Sequence, residues 1–209
     1  AQPTFTVADA TICQGELATL TPANLAGGNP ANPFTFMWME VDATVIPNTY
    51  TPIGAFNPYT ASPADSMHYA IYVDNVCATS DTVYANINVN DTAVVRILSN
   101  TQIGCPVLVV DFKADSLGGP GAIDGNSYLW DFGNGAFGSG DSTFYAYTNS
   151  GTFDITLTVT TINGCVSVVG EPGWVIVHPV PVADFTTDPN PPEVTLLNPT
   201  FDFINQSFD

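Results

Sequence analysis

Hydrophobic and polar residues alternate with a period of two through much of this chain, and a helix is hard to fit anywhere. The clearest stretch is TFDITLTVTT at 152–161. It sets Phe153, Ile155, Leu157 and Val159 on one face and Asp154, Thr156, Thr158 and Thr160 on the other, as in a sheet with one buried and one wet face. Aromatic and β-branched runs predict further strands over 34–39, 69–73, 94–98, 107–113, 126–131, 144–147 and 174–177, and a second alternating run predicts one over 82–89. Turn clusters such as AGGNPANP at 26–33, ASPADS at 61–66 and GEPG at 170–173 separate them.

These strands group into an all-β unit over 1–91 and a second over 92–180. A proline-rich linker, HPVPV at 178–182, then opens a tail over 181–209. The tail repeats earlier sequence: Val110-Asp111-Phe112 with Ser116 is matched by Phe201-Asp202-Phe203 with Ser207 at the same spacing. It reads as the first strands of a further unit, and it leaves Phe185, Phe201, Phe203 and Ile204 without a core unless the chain continues or the strands pair with another subunit.

Composition agrees with short strands and turns, since Gly and Pro number 17 each and charged residues are only 11%. Two basic residues, Arg96 and Lys113, stand against 20 acidic ones, for a net charge of -18. Such a chain is a poor partner for nucleic acid and for anionic lipid. No run reaches the roughly 18–20 apolar residues of a membrane span, and the N-terminus lacks the layout of a signal peptide, so the chain reads as mature, soluble and not inserted in a membrane.

Cys13, Cys77, Cys105 and Cys165 show no CxxC pair and no zinc-type spacing with histidine. Four cysteines allow three pairings. Sequential pairing, Cys13 with Cys77 and Cys105 with Cys165, is favoured because it closes loops of similar span, each contributing on the order of 4 kcal/mol. Disulfides imply an oxidising compartment outside the cytoplasm.

The run YLWDFGNG at 128–135, followed by STFYAYTNSGTFDITLTVTTINGC at 142–165, resembles the PKD domain, with its WDFGDG turn and following strand pair. The resemblance makes Trp130, Asp131, Phe132, Gly133, Asn134 and Gly135 structural rather than catalytic. GCP at 104–106 with NGC at 163–165 resembles disulfide-bearing PKD units of large surface proteins in bacteria that use type IX secretion. TICQGE at 11–16, Trp38 and VCATSDTV at 76–83 look like the immunoglobulin-like units of those proteins, and VADFTT with FDFINQS like the start of another PKD unit. The expected fold is therefore tandem immunoglobulin-like β-sandwiches, Ig-like and then PKD-like, followed by part of a third. Such families imply stalks, adhesins and gliding-related surface proteins, and spacers beside secreted enzymes.

Candidate chemistry is sparse. His68 and His178 stand apart, there is no HExxH or GxSxG, and Asp111 with Asp115 shares only a wet strand face, so no active site is expected. No cofactor is expected either. A bound calcium would draw on Asp81, Asp91, Asp115, Asp124 and Asp141, read as junction and loop residues, although no EF-hand spacing occurs. Trp38 and Trp130 read as core; an exposed Trp174 could stack on a sugar or a neighbour.

Asp followed by Ser or Thr and then an apolar residue or Thr occurs five times, at 65, 81, 91, 115 and 141, where about one occurrence is expected by chance for this composition. The triplet resembles an O-glycosylation motif of the same bacteria, which makes Ser66, Thr82, Thr92, Ser116 and Ser142 candidate acceptors. Ordinary turn chemistry is the other reading.

The whole reads as a non-catalytic structural or adhesive segment of an extracellular or cell-surface protein. Its partners would be neighbouring domains of one long chain, cell-surface glycans or proteins, or further copies of itself. The alternatives are an accessory glycan- or protein-binding module of a secreted enzyme, and a filament subunit assembled by strand addition through its tail.

Overall fold

The structure, a computed structural model, describes residues 2–27, 34–45, 47–75, 77–118, 123–188, 192, 200 and 202–208. It is all-β and divides into two compact units. The first comprises Ala1–Ala93, Gly119–Ile123 and Thr160–Val166; the second comprises Val94–Gly118, Asp124–Val159 and Ser167–Asp209.

The first unit holds β1 (Thr4–Thr6), β2 (Ala10–Cys13), β3 (Ala18–Leu20), β4 (Ala23–Ala26), β5 (Thr35–Asp42), β6 (Thr49–Gly54), β7 (Tyr59–Ala61), β8 (Met67–Asn75), β9 (Ala78–Thr79) and β10 (Val83–Asn90). Its main sheet runs β2-β10-β8-β5-β6, with β9 paired to β8. The small ladders β1-β4 and β3-β7 supply Phe5, Ala18 and Leu20, which pack with Trp38, Tyr69, Ile71, Val73, Ala85 and Ile87 of the main sheet in one core. β8 is the middle strand of that sheet, and Tyr69, Ala70 and Ile71 are buried in succession rather than alternately. β2 lies parallel to β10, with Ile12 opposite Val89 and Cys13 opposite Asn90.

The second unit holds β11 (Val94–Ser99), β12 (Ile103–Gly104), β13 (Leu108–Gly118), β14 (Ile123–Asp131), β15 (Phe137–Ser139), β16 (Ser142–Tyr147), β17 (Gly151–Thr161) and β18 (Val166–Val177), with the ends of β14, β17 and β18 also contributing to the first unit. Its sheets are β11-β13-β16 and β12-β18-β17-β14-β15. The second order repeats that of the first unit strand for strand, including a short first strand, β12, lying parallel to its neighbour. Ile97, Val110, Phe112, Trp130, Phe132, Tyr147, Ile155, Leu157, Val159, Val175 and Val177 are all buried.

The alternation at 152–161 is realised in β17, where Ile155, Leu157 and Val159 are fully buried and Asp154 is exposed; Thr156, Thr158 and Thr160 are half-buried, so the wet face is only partly wet. The GEPG sequence does not interrupt pairing. β18 starts at Val166 and runs through it, with Gly173 taking φ +63° and its N–H donating to Asp154 Oδ1 at 2.6 Å. Asp115 and Asp124, expected in loops, lie within β13 and β14.

In the tail, β19 (Phe185–Asp188) and β20 (Asp202–Asn205) pair antiparallel, Thr187 opposite Phe203 and Phe185 opposite Asn205. This is the register of β11 and β13, where Ser99 faces Phe112 and Ile97 faces Ala114. Ile97 and Phe112 are buried, whereas Phe185 and Phe203 in the matching places are 62% and 68% exposed. Phe201 lies outside the described residues.

Trp38 in β5 and Trp130 in β14 each occupy the fourth strand along their five-strand path, and neither is exposed to water. Each indole N–H donates to a carbonyl just past the neighbouring edge strand: Phe56 after β6 at 2.8 Å, Gly140 after β15 at 2.9 Å. Replacing Trp130 by Ala is expected to cost about 3–5 kcal/mol, from the lost ring and an unbonded carbonyl. Urea unfolding of the variant beside the native chain measures it, and Trp38→Ala is expected to behave alike.

Candidate functional site

Two features of the fold carry its chemistry, an aromatic turn and a pair of bonded cysteines. The turn follows β14. Asp131 Oδ1 accepts the N–H of Gly133 at 2.9 Å, Asn134 Oδ1 accepts that of Ala136 at 3.1 Å, and the Phe132 N–H closes on the Ala136 carbonyl at 3.1 Å. Asn134 also donates through Nδ2 to the Tyr145 hydroxyl at 3.0 Å. Gly133 has φ +77°, and a Cβ built there would stand 2.4 Å from the Asp154 carbonyl oxygen; Gly135 has φ +84° with open space around it. The first glycine answers to contact and conformation together, the second to conformation alone.

Behind the turn, Phe112 packs against both Trp130 and Phe132, and Phe132 stacks on Tyr145 with centroids 4.6 Å apart. Tyr147 touches Tyr145 and Phe153 and donates its hydroxyl to the Phe132 carbonyl at 3.2 Å. Burial, with Tyr145 and Asp131 nearby, pushes that hydroxyl well above the ordinary phenol range. All six motif residues therefore serve the turn and its packing.

The cysteines depart from the expected pairing. Cys13 is bonded to Cys165, with Cα atoms 5.5 Å apart, while Cys77 and Cys105 are free and exposed. Sheet register explains the difference. Cys13 sits at the C-terminal end of β10 and Cys77 just ahead of that strand's beginning, so a strand of eight residues, about 25 Å, separates them. Cys165 likewise precedes β18, whereas Cys105 follows β12 at the far end of the same strand, about 40 Å away. A disulfide spans less than about 7 Å between Cα atoms. Cys165 lies in the Thr160–Val166 turn of the first unit, its Sγ 3.7 Å from the Asn90 carbonyl, and Asn163 Nδ2 donates to Asn90 Oδ1 at 3.3 Å.

The candidate glycan acceptors are mostly open to solvent. Ser66, Thr82 and Ser142 stand exposed at or just before the start of a strand, and Ser116 is exposed within β13 rather than in a turn. Thr92 is half-buried, and the Ser66 Oγ accepts the Val89 N–H at 2.9 Å. Of the acidic candidates, Asp141 lies beside β13, its carbonyl accepting the Ala114 N–H at 2.8 Å. Asp115 pairs with Arg96 at 2.6 Å, Asp81 Oδ1 accepts from Gln2 at 3.1 Å, and no group of three His, Cys, Asp or Glu that could hold a metal occurs among the described residues. His68 Nδ1 bonds Asn86 Oδ1, while Asp111 Oδ2 accepts from Asn100 Nδ2. Trp174 is half-buried and donates to Ser99 Oγ at 3.1 Å, so its polar edge is already engaged.

Sequence reasoning missed one surface. Arg96 and Lys113, both basic residues of the chain, lie on the outer face of β11-β13-β16. There Leu98, Asn100, Asp111, Lys113 and Phe144 line an open groove of about 490 Å³. Cross-strand register is the signal that would have found it, since Arg96 faces Asp115 and Leu98 faces Lys113.

Residues 90–171 match the PKD domain family. The matched stretch is 82 of the chain's 209 residues, and over it the chain is similar to PKD domains. Among solved structures, the PKD1 domain from Vibrio cholerae metalloprotease PrtV is 30% identical to it, over 41% of this chain and 96% of that one, with a TM-score of 0.35. The PKD1 domain of Vibrio anguillarum Epp is 29% identical, over 43% and 99%, with a TM-score of 0.36. The N-terminal four Ig domains of Dscam1 isoform 1.9 are 12% identical, over 83% of this chain and 44% of that one, with a TM-score of 0.35. A comparison with curated proteins found no match.

The two glycines of the turn after β14 should separate in a stability measurement. Gly135→Ala meets only the conformational penalty, about 1 kcal/mol, whereas Gly133→Ala also drives a methyl into the Asp154 backbone and is expected to cost upwards of 2 kcal/mol. Denaturant midpoints of the two variants provide the comparison.

Proposed function

We propose that this chain is a non-catalytic, force-transmitting spacer of an extracellular multidomain surface protein. The observation that carries the reading is repetition: two units with the same five-strand order, each with its buried Trp in the fourth strand, and a tail ribbon in the register of β11 and β13. PKD and immunoglobulin-like domains are generally non-catalytic, and with a disulfide they are typical of extracellular proteins. No helix among the described residues is long and apolar enough to cross a membrane. In this reading the units hold distance and tension, and the adhesive contact belongs to their exposed faces.

The Asp-Ser and Asp-Thr triplets enter as points of sugar attachment, with Ser66, Thr82, Ser116 and Ser142 the open ones. Protein purified from its native host is then expected to exceed the bare chain in intact mass. A mass equal to the bare chain removes the sugars from the reading.

A spacer under tension also has a definite length limit. The bond between Cys13 and Cys165 closes off the residues between them, so pulling on the two ends can draw out only the 12 residues before Cys13 and the 44 after Cys165. At roughly 3.4 Å per residue that is about 190 Å, against about 700 Å once the bond is reduced. Single-molecule pulling with and without reductant measures both lengths. Full extension without reductant would place the bond outside the path of force and end the reading.

A further inference from the structure

Cys77 and Cys105 are exposed thiols, yet their places in the fold are those of the bonded pair. In each five-strand path the first strand is short and parallel to the second, β2 on β10 and β12 on β18. Cys13 is the last residue of β2, beside Asn90 at the C-terminal end of β10. Cys105 directly follows β12, whose Gly104 faces Val177, the last residue of β18, so the next step of the ladder sets Cys105 beside His178. Both ladders carry on past these ends, the Gln14 N–H donating to the Asn90 carbonyl and the His178 N–H to the Gly104 carbonyl, 2.9 and 2.8 Å.

The other two cysteines also correspond. Cys165 lies in the turn between β17 and β18, the third and second strands of their path; Cys77 lies in the turn that leaves β8 on the way to β10, the third and second strands of theirs. Each follows an asparagine by two residues, Asn163 and Asn75. Asn163 bonds the strand-end residue Asn90 beside the disulfide. The Asn75 side-chain oxygen receives the N–H groups of Cys77 and Ala78, which shapes the turn that presents the thiol.

The observed bond thus joins a strand-end cysteine, Cys13, to a turn cysteine, Cys165. The two thiols left over are one of each kind. We propose that Cys105 and Cys77 are the open halves of the same cross-link, so that Cys105 of one copy of this chain bonds to Cys77 of the next. The contact joins unlike surfaces, head to tail, and such contacts propagate. The bond forms by thiol–disulfide exchange with a small-molecule disulfide such as oxidised glutathione. The Cys77 thiolate attacks it and releases one glutathione thiol, and the Cys105 thiolate of the other copy then displaces the second. Two protein thiols are oxidised, and one glutathione disulfide is reduced to two thiols.

The proposal deepens the spacer reading and rests on it. The two fail separately, because the pulling experiment depends on Cys13 and Cys165 and this one on Cys77 and Cys105. The full chain, Cys77→Ser, Cys105→Ser and an equimolar mixture of the two variants are each incubated in a glutathione redox buffer, then analysed by non-reducing electrophoresis and peptide mass mapping. The native chain is expected to form a ladder of linked copies whose joined peptides contain Cys77 and Cys105, with the Cys13–Cys165 bond intact throughout. Each variant alone should give at least tenfold less linked product, and the mixture should stop at two chains. Three results would overturn the proposal: like-to-like bonds as abundant as the mixed one, a Cys77–Cys105 bond within one chain, or thiols capped by glutathione with no link between chains.

Discussion

An indole buried in a sandwich brings one N–H that has to find an acceptor away from water, and in both units the need is met across the edge of the sheet. Trp130 uses the Gly140 carbonyl just past β15, and Trp38 uses the Phe56 carbonyl just past β6. The bond ties the end of an edge strand to the centre of the core, which fixes where the following chain departs. In the second unit that departure leads to β16, whose Tyr145 and Tyr147 build the aromatic stack under the turn. In the first unit it leads to Tyr59, which stacks on Trp38 and meets Tyr69, both at 5.3 Å. One constraint is served by two different sets of rings.

The disulfide acts on a different scale. With a sequence separation of 152, loop closure makes it worth about 5 kcal/mol on the chain-entropy model, a large part of the roughly 5–15 kcal/mol that separates folded from unfolded chains. Its placement follows from the short parallel strand β2, which carries Cys13 to the end of β10 instead of toward the β8–β9 turn. A small structural choice, the parallel pairing of four residues, decides which thiols can meet.

Much of this was legible in the sequence, for identifiable reasons. Ile155, Leu157 and Val159 alternate strictly with polar neighbours, and a half-buried strand is the simplest structure that uses such a pattern. The WDFGNG turn was legible because its glycines and Asx residues act locally. What failed were properties of register. Loop spans favoured Cys13 with Cys77, but the length of β10 stands between them. GEPG carries the residues of a bend, yet β18 absorbs it because the Gly173 N–H finds Asp154 on the adjacent strand. Asp115 and Ser116 look like turn residues until Arg96 supplies a cross-strand partner for the acid. The short strands β1 to β4 gave too few alternating positions to be seen at all.

The scarcity of cations has one more consequence. A protease that cuts after Lys or Arg has two targets in the whole chain, Arg96 and Lys113, and both sit inside paired strands, β11 and β13. A cleavage site must leave its strand to enter such an enzyme, so the ladders shield both. Should both bonds be cut, the pieces on either side, ending at Arg96 and beginning at Ala114, remain joined through Cys13 and Cys165. The same clasp that limits how far the chain can be drawn out makes it hard to cut apart.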